Sequence, residues 1–193
     1  MPRSQADKDF VLDRAVPHRL QALYALTMAV DLIAKKSPDD AGGFSLEVNG
    51  NVAVQGSAAG ITNAWLEVGI VHGRALLEFL GLSEKDGALI ERKGPRDTDW
   101  RLADFDLPPV TRAQAIKAYK GDADEAEQSL GSIMVFANRG IAHITDLIDP
   151  ERFGTHHLEI ASRGIHALVV GHLYRPLGRA EPPFGFPKSK RHL

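Results

Sequence analysis

The chain has 193 residues, an apolar content of 44%, a formal charge of −2 and no cysteine. That length and composition fit one packed domain and exclude wholesale disorder, disulfides, thiolate catalysis and cysteine metal sites. The near-neutral charge excludes a global attraction to nucleic acid or anionic membrane, so RNA binding would need a local basic patch.

Residues 8–36 show helical spacing: Leu12, Val16, Leu20, Leu23, Tyr24, Leu26, Thr27, Val30 and Ile33. Pro17 falls inside this pattern and is expected to separate a short first helix from a longer one starting near His18. Ser37-Pro38-Asp39-Asp40 with Gly42-Gly43 ends it. The period then changes to that of a strand. Phe44–Val48 and Asn51–Gln55 flank Asn49-Gly50, a strong hairpin signal. An isolated hairpin is marginal, so this one is expected to pack on the helices or to pair with another chain.

A second main helix is predicted over 60–81, with Trp65, Val68, His72, Ala75 or Leu76, and Phe79 on one stripe and Gly81 as its stop. Residues 83–92 are expected to add a short helix. Residues 93–110 read as irregular, with Trp100 and Phe105 as anchors on the core. Thr111-Arg-Ala-Gln114 is a capping box opening a short helix that ends at Gly121. Asp122 opens a third main helix to about Ile148, with Leu130, Ile133/Met134, Ala137, Ile141, Ile144 and Ile148 as its stripe, broken by Asp149-Pro150. Thr155 is the expected N-cap of a last helix to about Tyr174, with Leu158, Ala161, Ile165, Leu168/Val169 and His172 on one face.

The predicted fold is therefore mainly α: a four-to-five-helix bundle over residues 1–175 with a small β-hairpin insertion, followed by an extended tail over 176–193. Gly69, Gly73, Gly140, Gly164 and Gly171 lie inside helices, where each costs about 1 kcal/mol relative to Ala. Close helix approach is the simplest compensation. The N-terminus has no apolar signal core, and no run approaches the ~20 residues of a membrane span, so a cytoplasmic protein without membrane contact is expected.

The polar residues with most chemical content lie in Phe136–Leu147, which holds Asn138, Arg139, His143 and Asp146 among apolar neighbours. Arg139 and His143 are i,i+4 neighbours on one helix face, and His143 sits on the shoulder of the core stripe. Two accounts fit. In one, His143 is a general acid/base and Arg139 a phosphate-binding cation. In the other, His143 is a packed histidine on a neighbouring carbonyl, and Arg139 pairs with Asp146 or Glu159. On the second helix, His72 shares the apolar stripe and is expected to face the third helix, where a His72–His143 pair could form. Arg74 points about 200° away from that stripe, and an intrahelical pair with Glu78 or Glu67 is its simplest role.

Of eight histidines, His72, His143, His157, His166 and His172 could supply a three-histidine metal site, as in DinB-like bundles. The chain has neither a Glu-x-x-His pair of the di-iron type nor a His-Glu-x-x-His motif, and no metal or other cofactor is expected. His156 and His157 are expected to be exposed. Lys188-Ser-Lys-Arg-His192 reads as a solvated basic terminus. Arg92, Lys93, Arg96 and Arg101 are interleaved with Asp97, Asp99 and Asp104, which weakens them as a phosphate track.

Asn63–Leu80 carries a His-x-Arg-x-Leu-Leu-x-Phe-Leu pattern, and Ala137-Asn-Arg-Gly-Ile-Ala-His-Ile-Thr145 carries an Arg and a His late in the chain. With Thr98–Phe105 between them, these stretches resemble the HEPN-like helical proteins and, more loosely, uncharacterised bacterial helical bundles. The resemblance covers about a quarter of the chain. It implies a homodimer whose motif Arg and His meet at the interface and cleave RNA without a metal, or a catalytically silent RNA binder or scaffold. It also implies a setting in toxin–antitoxin or phage-defence systems, with a cognate antitoxin as partner. Carried over, His143 would be the acid/base, Arg139 the phosphate ligand, and His72, Asn138 and Arg74 substrate-binding residues. Three residues separate Arg139 from His143, where the family pattern has four to six, and Gly140 stands where a polar residue usually follows the Arg. Placing Asn138 in the Arg position restores the spacing and loses the cation.

Overall fold

The computed structural model describes residues 3–35, 42–94, 98–140 and 154–183. Its element order is α1 (Gln5–Phe10), α2 (Val16–Lys35), β1 (Gly43–Val48), β2 (Asn51–Ser57), α3 (Ala58–Leu80), β3 (Leu82–Lys85), β4 (Ala88–Glu91), a 3₁₀ turn (Leu102–Phe105), α4 (Arg112–Lys117), α5 (Ala123–Val135) and α6 (Thr155–Val169). The fold is mainly α with small antiparallel β insertions. No helix among the described residues is long and apolar enough to cross a membrane.

The core is the meeting of α2, α3, α5 and α6 around Leu20, Leu23, Leu26, Leu76, Leu77, Leu80, Ile133 and Ile165. Two of the predicted glycine contacts explain how closely they meet. A Cβ on Gly69 would lie 2.3 Å from Leu26 Cβ, so only glycine lets α3 approach α2 there. A Cβ on Gly73 would lie 3.1–3.4 Å from Ile133, Leu23 and Ile165, which places this glycine where all four long helices converge. Gly164 and Gly171 do not share this role: the former would gain an ordinary contact with Leu130 and the latter faces open space. A close approach the sequence did not suggest occurs at Gly131 of α5, where a Cβ would sit 3.0 Å from the Gly87 carbonyl oxygen.

Pro17 does not divide the first helical run. A π-helical turn, Val11–Ala15, joins α1 to α2 without a break. In this turn the Val16 N–H donates to the Val11 carbonyl, five residues back. The Leu12 carbonyl thereby loses Val16 as its α-helical donor, and in the π register its donor would be residue 17, which is proline. The Tyr174 hydroxyl fills that vacancy, donating to the Leu12 carbonyl oxygen at 2.7 Å in the buried interior. Tyr174 itself ends a second π turn, Val170–Tyr174, which continues α6. Burial raises the Tyr174 phenol pKa well above its usual range, so the hydroxyl stays a donor. Arg179 then ion-pairs with Asp9 at 2.6 Å and Asp13 at 3.0 Å, and Leu177 packs on the core. Residues 176–183 are thus tied to the first helix rather than wholly extended.

The expected helix over 83–92 is instead the β3–β4 hairpin. Asp86 and Gly87 at its turn have φ of 55° and 85°, as a two-residue hairpin loop of mirror-image twist requires. Leu82 and Leu89 are fully buried under it. The β1–β2 hairpin forms as predicted around Asn49-Gly50, with a bulge between Leu46 and Glu47, but it does not join the core: Leu46, Val48, Val52 and Val54 are each about half exposed. The Thr111 capping box and the Asp122 cap are present. The last helix is capped by Gly154, one residue before the expected Thr155.

Candidate functional site

Of the motif that opens the functional question, the structure describes the first part. Phe136–Gly140 is a third π-helical turn, continuing α5. Ala137 is buried, Phe136 packs against the core and Asn138 is half-buried. The Arg139 side chain and all of His143, with Ile141, Ile144, Asp146 and Ile148, lie outside the described residues. π turns widen a helix by one residue and recur at functional sites. Here the turn interrupts the regular α-helical phase over Phe136–Gly140.

His72 and Arg74 are both described. The buried stripe of α3 runs through Thr62, Gly69, Ile70, Gly73, Leu76, Leu77, Phe79 and Leu80. Val68 is 47% exposed and Trp65 is only half-buried, so the stripe expected through them is rotated, and His72 stands at its edge. His72 packs beside α2, and its expected partner His143 lies outside the described residues. The His72 ring meets His18 of α2 edge to face, at a centroid distance of 5.2 Å. Burial lowers the His72 pKa, and the Arg19 guanidinium and His18 lower it further, so His72 is neutral at neutral pH. Arg74 forms the predicted intrahelical pair, with Nε 2.9 Å from Glu78 Oε1. His72 and Arg74 therefore do not converge on one spot.

Sequence reasoning missed a cleft that begins one turn beyond His72 along α3. A cavity of about 300 Å³ opens between the first helical run, the C-terminal half of α3 and the Thr98–Trp100 segment. Val11, Val16, Leu76, Phe79 and Trp100 form its apolar walls, and Arg19, Glu78, Arg92 and Asp99 its polar ones. The β3–β4 hairpin builds this arrangement. By reversing the chain after Gly81, it brings the Arg92 N–H to 2.8 Å from the Gly81 carbonyl, beside the end of α3. The Arg92 guanidinium then lies 2.7 Å from Asp99 and 3.8 Å from Glu78. The Arg/Asp interleaving seen in the sequence is, at this point, an ion pair. Trp100 is held on one side by Phe105, at 5.7 Å between rings, and is capped by Arg3, whose guanidinium carbon is 4.6 Å from the ring centroid.

Arg19 differs from its neighbours. Its Nη1 donates to the Ala15 carbonyl at 3.1 Å, and no carboxylate among the described residues pairs with it. Among the described residues, Arg74 pairs with Glu78, and Arg92 with Asp99 and Glu78, which leaves Arg19 as the cavity-lining guanidinium without a carboxylate. It is half-buried at the cavity wall, next to a neutral histidine.

The remaining histidines are dispersed. His156 bonds to Glu125, which also accepts from the Tyr119 hydroxyl at 2.8 Å, and His157 Nδ1 lies 2.9 Å from Ser129 Oγ. Both are partly rather than fully exposed, and together they tie the start of α6 to α5. Among the described residues no group of three or more His, Asp or Glu side chains is placed to hold a metal ion. Comparison with protein-family models, curated proteins and solved structures yields no match for this chain.

Proposed function

We propose that this protein is a HEPN-like, homodimeric RNA-binding bundle that handles an RNA phosphodiester without a metal, at the face where α2 and α3 present His18, Arg19 and His72. The observation that carries the reading is an arginine without a carboxylate partner among the described residues, beside a histidine held neutral by burial. A guanidinium is suited to a phosphate, and a neutral imidazole can accept the proton of a ribose 2′-hydroxyl while a second imidazole donates one to the leaving oxygen. His143 and Arg139, carried over from the family pattern, would complete the site from the late helix. The test is cleavage of end-labelled single-stranded RNA by purified protein in EDTA. Wild type is expected to cleave, and His72→Ala and His143→Ala each to reduce the rate by at least about 100-fold, the usual worth of a general acid or base. An intact substrate in every RNA tested would remove the catalytic part of the proposal.

A second reading is favoured by a separate observation. Leu46, Val48, Val52 and Val54 on the first hairpin, with Val68 and Val71 on α3, are 46–52% exposed. An exposed two-stranded hairpin with apolar side chains is a surface for another chain. Under this reading the protein is a non-catalytic dimeric interaction module. Light scattering decides it: Val52→Lys with Val54→Lys converts a dimer to a monomer, and an unchanged mass rejects the hairpin as the interface.

A further inference from the structure

The cavity beside Arg19 offers more than a cation. At about 300 Å³ it sits at the small end of ligand sites, which run from ~300 to 1,000 Å³. That is room for one nucleotide and too little for two. Its walls pair aromatic and aliphatic surface, including Phe79 and Trp100, with a polar group of fixed geometry. In that group, Arg92 donates to Asp99, and Glu78 lies beside it with room for another donor, because a carboxylate has about four lone-pair sites. Arg92, with five N–H donors, keeps spare donors.

We propose that this cavity is the subsite for a single purine nucleotide, guanine in preference to adenine, with its phosphate at Arg19 and its base edge at Glu78 and Arg92. The preference follows from donor and acceptor types. Guanine presents neighbouring N–H donors together with the O6 acceptor. The donors suit a carboxylate, and O6 suits the adjacent guanidinium. Adenine would set a ring-nitrogen acceptor against a carboxylate, which leaves two acceptors facing each other. A pyrimidine has one ring instead of two to lay against the apolar walls, so it gains less there. The Arg19 guanidinium, also on the cavity wall, matches one phosphate. The inference rests on the reading of this face as RNA-binding, in that the nucleotide is taken to belong to an RNA strand.

Calorimetric titration of the full chain with GMP, AMP, UMP, guanosine and inorganic phosphate tests it. GMP is expected to bind tightest, with AMP about tenfold weaker or worse, and with guanosine and phosphate each weaker than GMP. Arg19→Gln should weaken GMP by about 10- to 100-fold, the worth of one charge-assisted contact, and leave guanosine unchanged. Glu78→Gln should narrow the GMP-over-AMP ratio. Circular dichroism melts of both variants establish that they are folded. Absence of GMP binding at millimolar concentration, equal binding of GMP and UMP, or phosphate binding as tightly as GMP each overturns the subsite. RNA binding with no GMP binding overturns the subsite alone. GMP binding with no RNA binding overturns the RNA reading and leaves the subsite standing.

Discussion

Replacing Tyr174 by Phe tests how the first helix accommodates its proline. The substitution removes one hydroxyl and leaves the ring, so packing is conserved. It leaves the Leu12 carbonyl without the donor it has at 2.7 Å, in a buried position where neither Val16 nor Pro17 can replace it. An unsatisfied buried acceptor costs about 1–3 kcal/mol. For a chain of this size that lowers the melting temperature by about 2–12 °C. The decisive version is a double-mutant cycle with Pro17→Ala. Alanine restores an N–H at the position that faces Leu12 in the π register, so Tyr174→Phe should cost about 1 kcal/mol less in that background. Denaturant unfolding of the four proteins, followed by circular dichroism, reads the coupling. A Tyr174→Phe cost that is the same in the wild-type and Pro17→Ala backgrounds would refute the reasoning, and so would no cost at all.

Three further outcomes follow from the packing and the electrostatics. Gly69→Ala should destabilise by about 1–3 kcal/mol, because its Cβ would lie 2.3 Å from Leu26 Cβ, whereas Gly171→Ala, facing open space, should be neutral or stabilising by up to about 1 kcal/mol; thermal melts that rank them the other way contradict the helix-approach account. Burial lowers the pKa of His72, His157, His166 and His172 below the ordinary 6.5. The unfolded chain therefore binds protons more readily, stability is full above pH 6.5 and is lost as pH falls through the lowered values, and His72→Gln should flatten that decline in a pH series of melts. Gly131→Ala should strain the seat of the second hairpin, where the Gly87 carbonyl oxygen is 3.0 Å from the new Cβ, and hydrogen exchange should show β3–β4 opening more readily than in wild type.

The parts of the fold legible in the sequence were those fixed by local chemistry. Asn49-Gly50 gave its hairpin, Thr111 and Asp122 their caps, and Gly81 its helix stop, each through bonds made within a few residues. Asp86-Gly87 carried the same kind of signal, but the flanking strands are four residues each, too short for their alternation to stand out against Glu84 and Lys85. The rotation of α3 was not legible, because Trp65 and Val68 are apolar yet stand on a face that the described residues leave open. The π turns were hidden for a related reason: nothing at Val11–Ala15 announces them except the proline that follows, and each one interrupts the regular α-helical phase. Arg74 with Glu78 was readable because both partners lie on one helix. His18 with His72, and Arg92 with Glu78, were not, since each pair depends on how separate elements meet.

Binding of a fluorescent single-stranded RNA by wild type and Arg19→Gln, as a function of salt, addresses the central claim most directly. If Arg19 is the phosphate ligand of the α2–α3 face, the variant binds more weakly and its slope of log affinity against log salt is shallower by about 0.7, one released counterion's worth for a single strand. Equal affinity and equal slope for the two proteins would contradict the account.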